Sequence, residues 1–314
     1  MKGVKPLYFV LGLVFLELPS FAYTPMQQIA SSGSIVTVKW ANSAFPISWR
    51  LNTTVGTNVQ GSRTVTQVIQ AAFQTWDDLD TAAISFSQGA TTTATNASLD
   101  GQNTISFVPQ NVGDFAINVI ALTYTFRSST TGVITESDIV FNPSHPNPLT
   151  TESTSVEAQI DIQSVATHEI GHLLGLDHSG MLTASMFPSI STGVIYRRIL
   201  STDDIIGVST IYPTANFTSG RGSISGTVQT TGSVVYGALV VVVDGSGRPI
   251  VSTVSDPSGN YRVDGLEPGS YTVYAEPIDS PLQLGNVPTL FGGPSISIYP
   301  SSTPQTNFTT RFHP

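Results

Sequence analysis

The apolar positions along the chain change period several times, and each change predicts an element. Residues 40–51 alternate, with Ile47, Trp49 and Leu51 on one side and Ser48 and Arg50 on the other, the two-residue period of a half-buried strand. Residues 65–79 place Val65, Val68, Ile69, Ala72, Phe73, Trp76 and Leu79 at helical spacing, which predicts a helix whose Phe73 and Trp76 pack on a sheet. Short β-type runs follow at 84–86, 104–108, 117–126 and 134–141, and the Thr, Ala and Asn-rich stretch at 89–101 reads as an exposed loop. A helical period returns through Ile160, Ile162, Val165 and Ala166, and Asp161 suits the first turn of that helix. After residue 213 the texture changes. A polar, glycine-containing linker at 214–221 leads into β-type runs at 223–228, 238–243, 250–254, 261–263 and 271–274, separated by turn clusters such as Asp244-Gly245-Ser246-Gly247. Strands at that spacing predict a β-sandwich, to which 295–298 could add a strand. The fold class is α+β for the first part, followed by an all-β sandwich domain over 222–314.

Composition narrows the function classes. A chain of 314 residues accommodates two domains, each with its own core. A net charge of −9 argues against nucleic acid or anionic lipid as partner, because both attract basic patches. Residues 1–22 read as a secretory signal peptide: Lys2 and Lys5 lead an apolar run at 7–18, and Ser20-Phe21-Ala22 offers a cleavage site. That run is too short to span a bilayer and carries Glu17. The expectation is a secreted, extracellular protein, with periplasm or cell surface as variants and no membrane span once the signal is removed. Residues 23–37 are polar and read as an irregular N-terminal segment, too short for a folded prodomain. There is no cysteine, so neither a disulfide nor a thiolate block of a metal is available.

The chemistry concentrates at 168–178, His-Glu-Ile-Gly-His-Leu-Leu-Gly-Leu-Asp-His, which holds three of the chain's five histidines. His168 and His172, four apart, share one helix face and can share an ion, while Glu169 can reach a water on it. Gly175 permits a left-handed exit from the helix, so that the chain doubles back and presents His178. Three imidazoles with one open position describe a catalytic rather than a structural zinc. The zinc would acidify its water and polarise a carbonyl, with Glu169 as general base. A lone His-Glu-x-x-His is equally compatible with an ordinary amphipathic helix; the third histidine and the glycine separate the readings.

This stretch resembles the signature of the metzincin zinc endopeptidases, and Ser179 after the third histidine resembles the matrixin branch. Ser185-Met186-Phe187-Pro188 resembles the methionine turn, which implies Met186 as the floor under the metal. Leu200-Ser201-Thr202-Asp203-Asp204-Ile205-Ile206-Gly207 resembles the start of the last matrixin helix. In that family one aspartate anchors the mature amino terminus and the other braces the methionine turn, jobs for which Asp203 and Asp204 are candidates. The resemblance implies a catalytic domain over 38–213 with a mixed twisted sheet and long helices, and an edge strand through Ile120, Ala121 and Leu122 on which an extended protein or peptide substrate pairs. Pro188, Ser189 and Ile190 then form the wall of the pocket after the cut bond, expected to be apolar.

Departures from the pattern carry expectations too. Tyr124 and Val140 stand where histidines of a second, structural zinc would be, which implies one catalytic zinc only. Asn142 replaces an expected calcium ligand and leaves Asp138 as a weak candidate for calcium. Phe187 and Pro188 follow the methionine, so the tyrosine ligand of some other metzincins is missing. Gly226-Thr227-Val228, Gly259-Asn260-Tyr261 and Gly265-Leu266-Glu267-Pro268-Gly269-Ser270-Tyr271 resemble a carboxypeptidase regulatory-like domain of transthyretin type. That domain is a candidate for glycan or cell-surface contact, and equally for a spacer or folding support. The expected function is zinc-dependent hydrolysis of internal peptide bonds. The rival is a catalytically silent binding protein that works through the β-sandwich.

Overall fold

The computed structural model describes residues 25–107, 119–278 and 308–313. Residues 1–22, read as a signal peptide, residue 108 of the second β-type run, residues 117–118 of the third and the strand expected at 295–298 lie outside these residues.

The described chain opens with a hairpin of β1 (Gln27–Ile29) and β2 (Ile35–Thr37), in a segment that the sequence presents as irregular. Its polar side chains hide it from a hydrophobic pattern. Gln28 is buried because its amide is satisfied on both sides, donating to Ser128 O and accepting from the Arg127 guanidinium. β3 (Lys39–Trp40) and β4 (Ile47–Leu51) follow, and β4 keeps the predicted alternation with Ile47, Trp49 and Leu51 buried and Ser48 and Arg50 exposed. After β5 (Val59–Gln60) comes α1 (Val65–Asp77), started by a capping box between Thr64 and Gln67. Phe73 of α1 stacks on Trp49, ring centroids 4.4 Å apart, and meets Phe86 at its edge. Trp76 turns instead to the helix that carries Thr167, where its indole N–H donates to Thr167 O at 3.0 Å.

The main sheet is completed by β6 (Phe86–Gln88), β7 (Asn103–Ser106), β8 (Ala121–Arg127) and β9 (Val133–Phe141), in the order β3-β9-β7-β4-β6 with β8 also on β9. All pairs are parallel except β8 with β9, so this is a mixed sheet. Two short strands, β10 (Leu149–Thr150) and β11 (Ile160–Asp161), lead into α2 (Ile162–Leu173). Ile160 therefore belongs to a strand and not to the helix. Asp161 caps α2, its carboxylate accepting from Ser164 N–H and pairing with Arg198. Trp40 donates to Leu173 O at 2.8 Å, so two buried indoles hold α2 at its middle and its end. α3 (Thr202–Ile211) and the short α4 (Ala215–Thr218) close the α-containing part.

Among the described residues the remainder is all β: β12 (Gly222–Thr227), β13 (Gln229–Thr230), β14 (Ser233–Val234), β15 (Ala238–Asp244), β16 (Pro249–Val254), β17 (Asn260–Leu266), β18 (Tyr271–Pro277) and β19 (Arg311–His313). β16-β15-β18-β19 form one antiparallel sheet, and β12 pairs with β17. Val242, Val251, Val263 and Leu266 belong to the same buried cluster as Ile206, Val208 and Ile211 of α3, so the β part packs directly on the last helix.

Candidate metal centre and substrate cleft

His168 and His172 leave α2 on one face, and the exit of the helix brings His178 to them. Leu176 N–H bonds Gly171 O and Gly175 N–H bonds His172 O, the two closures of a Schellman turn. Gly175 has φ +95, and a Cβ there would overlap Val38 O, so the turn needs glycine for both conformation and room. One ligand atom from each of the three histidines lies within 4.8 Å of the others. The Nδ1 of His168 faces Ser185 O at 2.7 Å and that of His172 faces Leu176 O at 2.8 Å. Carbonyls only accept, so both Nδ1 atoms carry the proton and both Nε2 lone pairs are left for a metal.

The surroundings keep the imidazoles neutral. Burial lowers the pKa of His168 to about 3 and that of His172 to about 4, and it lowers His178 well below the ordinary value, helped by the other two rings. Neutral imidazole is the form that binds metal. Among the described residues His178 Nδ1 is buried without a hydrogen-bond partner, with Asp177 Oδ1 3.9 Å from it. Glu169 is buried beside them, and desolvation raises its pKa to about 7 against the pull of the Thr123 hydroxyl, which donates to Oε2 at 2.6 Å. Three neutral nitrogen donors with an adjacent carboxylate fit zinc.

Beneath the histidines Met186 is 2% exposed. Its turn is closed by Ser179 N–H to Met186 O at 2.8 Å, and Asp204 accepts from Ser185 N–H and Met186 N–H while capping α3 through Ser201. Asp203, its pKa raised to about 7 by burial and by Asp204, accepts from Ser179 Oγ at 2.6 Å and from Ser252 N–H at 2.7 Å. Among the described residues, Asp203 receives no amino terminus.

A cleft of about 490 Å³ runs past His168, Glu169 and His178. Ile120, Ala121 and Leu122 line one side and Pro188, Ser189 and Ile190 the other. Among the described residues β8 pairs only with β9, which leaves its other edge towards the cleft without a strand partner. The wall beyond the histidines is less apolar than its sequence suggests, because Arg197, 4% exposed, lines it. Its guanidinium donates to Phe187 O, Ser189 O and Leu182 O and lies over the Phe187 ring.

Residues 39–213, more than half of the chain, match the matrixin family. The chain belongs to the matrixin family. Residues 223–280 match the carboxypeptidase regulatory-like domain. Among curated relatives, Metalloendoproteinase 2-MMP of Arabidopsis thaliana is 39% identical over 101 residues, 31% of this chain and 25% of that protein. Karilysin of Tannerella forsythia is 35% identical over 32% of this chain and 20% of its own, and the hatching enzyme of Paracentrotus lividus is 29% identical over 52% and 24%. The chain thus spans a quarter or less of the length of these relatives. Matrixins generally bind zinc and calcium.

Of the site residues named from the sequence, His168, Glu169, His178, Ile120, Ala121, Leu122, Pro188, Ser189 and Ile190 line the cleft, whereas His172, Gly175, Met186, Asp203 and Asp204 are not among its lining residues. The metal group is His168, His172, His178 and Glu169, the supports are Gly175, Met186 and Asp204, and Asp203 faces the β part. The calcium candidate Asp138 lies apart from them. Its two oxygens accept from Ser98 N–H and Thr104 N–H, which ties the 89–101 loop to β9. Sequence reading missed Thr123, Gly171 and Arg197. Thr123 directly follows Leu122, an edge-strand position already singled out, so a hydroxyl facing Glu169 was a detectable signal; the other two act through contacts that no local pattern encodes.

Proposed function

We propose that this chain is a secreted zinc-dependent endopeptidase that hydrolyses internal bonds of extended protein segments. The observation that carries the reading is Glu169, a carboxylate retained in a buried position beside three neutral imidazoles and held by Thr123. A scaffold needs neither the carboxylate nor its brace. His168, His172 and His178 would hold zinc, which supplies Lewis-acid polarisation of the scissile carbonyl and an acidified water. Glu169 accepts the proton of the attacking water and returns it to the leaving amine. The unpaired edge of β8 holds the substrate backbone in register through main-chain hydrogen bonds, which suits unfolded protein of varied sequence. Supporting a single zinc, Tyr124 and Val140 lie in the ladder opposite Asp138 and Leu122, where the resemblance requires histidines. Export rests on residues 1–22, and no helix among the described residues is long and apolar enough to cross a membrane.

The test is cleavage of an unfolded protein by the chain from Tyr23 onward, beside Glu169→Ala at matched zinc content. The variant is expected to lose at least about 10²-fold in kcat while retaining its metal. Equal turnover by both proteins, or none by the wild type, defeats the reading, and two zinc ions per chain defeat the single-ion part.

A further inference from the structure

We infer that the C-terminal β domain is part of the metal-holding apparatus: it fixes the turn that carries the third histidine. This rests on reading the three histidines as ligands.

The segment from Ser179 to Phe187 has two faces. One faces the metal centre and α3, where Asp204 takes the N–H groups of Ser185 and Met186. The other is buried in the β domain, because Met181, Ala184 and Phe187 share a hydrophobic cluster with Tyr236, Leu239 and Val241. Leu239 sits on the backbone of Gly180, so closely that a Cβ at that glycine would overlap its side chain. Gly180 is two residues beyond His178.

A polar link reinforces the apolar one. Ser252 lies on β16, the edge of its sheet, and its N–H is given not to another strand but to Asp203 at 2.7 Å. The other oxygen of Asp203 accepts from Ser179 Oγ, which itself accepts from Met181 N–H at 2.9 Å. One buried carboxylate thus joins the residue after His178 to a strand of the second domain.

His178 needs this support more than its partners do. The rings of His168 and His172 are oriented by carbonyls at 2.7 and 2.8 Å, whereas among the described residues His178 Nδ1 has no hydrogen-bond partner, Asp177 Oδ1 lying 3.9 Å away. Its position is therefore set by the backbone that carries it, and that backbone is clamped between α3 and the β domain. Asp203 and Ser252 are positioning residues; neither touches the site of reaction.

The test uses the full chain and measures zinc affinity by chelator competition, with the visible spectrum of the cobalt(II) form as a second readout. Ser252→Pro removes the N–H, Ser252→Ala keeps it, and Leu239→Ala empties the contact on Gly180 without altering a hydrogen bond. Ser252→Pro and Leu239→Ala are expected to weaken zinc about 10-fold or more and to alter the cobalt spectrum, the scale of losing an outer-shell support, while Ser252→Ala stays within about twofold. Should Ser252→Pro fail to fold, Leu239→Ala decides alone. Wild-type affinity and spectrum in a folded Leu239→Ala protein overturn the inference even if the enzyme cleaves protein, and so does a wild type that binds no zinc. Weakened zinc in the variants of a wild type that binds metal but cleaves nothing sustains it while defeating the endopeptidase reading.

Discussion

Met186 packs against the backbone of Gly171, in the last turn of the helix that carries two of the three histidines, so closely that any Cβ at Gly171 would overlap its sulfur. The Trp76 ring closes the same space from the other side. Glycine in a helix interior ordinarily costs about 1 kcal/mol relative to alanine, so helix propensity favours the replacement and packing opposes it. Packing prevails here, because the sulfur belongs to a buried turn held by Asp204 and cannot retreat freely. Gly171→Ala is expected to destabilise the fold by about 1–3 kcal/mol and to weaken zinc binding, measured by thermal unfolding and chelator competition. A more stable variant with unchanged metal affinity would show that the turn is softer than its hydrogen bonds imply.

Thr123 is expected to act on Glu169 and not on the metal. Its hydroxyl is the group that orients the buried carboxylate, at 2.6 Å from Oε2. Thr123→Val preserves shape and removes that donor. Turnover number should fall by about 10- to 100-fold, the effect of a charge-assisted hydrogen bond worth roughly 1.5–3 kcal/mol, with zinc content and thermal midpoint little changed. A variant that loses zinc in proportion to activity would assign Thr123 to strand architecture instead.

What the sequence makes legible is what local spacing encodes. His168 and His172 fall on one face because a helix repeats every 3.6 residues, and Gly175 marks the exit because few other residues adopt its backbone. β4 and α1 follow from alternation and helical period. The hairpin of β1 and β2 was unreadable because Gln27 and Gln28 are buried polar residues, Gln28 satisfied by partners about a hundred positions away. Arg197, beside Arg198, looks like a surface cation, yet it is buried with its guanidinium held by the carbonyls of Phe187, Ser189 and Leu182. The bond from Ser252 to Asp203 crosses two domains, and no periodicity within either encodes it.

Asp138 gives stability a pH dependence that is independent of the metal. Burial raises its pKa from 3.8 to about 6, opposed by the N–H groups of Ser98 and Thr104 and assisted by Glu136 and Asp100. A carboxyl whose folded pKa is raised binds its proton more tightly folded than unfolded, so its contribution to stability is largest below about pH 4 and declines as the pH rises to about 6. Comparing thermal midpoints with Asp138→Asn isolates this term. The advantage of wild type over variant should shrink between pH 4 and 6 and stay constant above pH 7; midpoints that run parallel throughout would mean that the loop at 98–104 moves to hydrate the carboxylate.

The amino terminus offers the last test, because family resemblance and structure assign Asp203 different partners. In matrixins one aspartate of the pair anchors the mature amino terminus; here Asp204 holds the methionine turn, and both oxygens of Asp203 are engaged, one by Ser179 and one by Ser252. An ammonium arriving at Asp203 would have to displace the β domain's N–H, the contact argued above to steady His178. The chain should therefore gain nothing from a precisely trimmed start. Proteins beginning at Tyr23 and at Tyr23 preceded by two extra residues are expected to agree within about twofold in kcat/KM and in zinc affinity, a difference under about 0.5 kcal/mol. A gain of 10-fold or more on trimming would mean that the ammonium competes successfully for Asp203, and the Ser252 contact would then describe the untrimmed form alone.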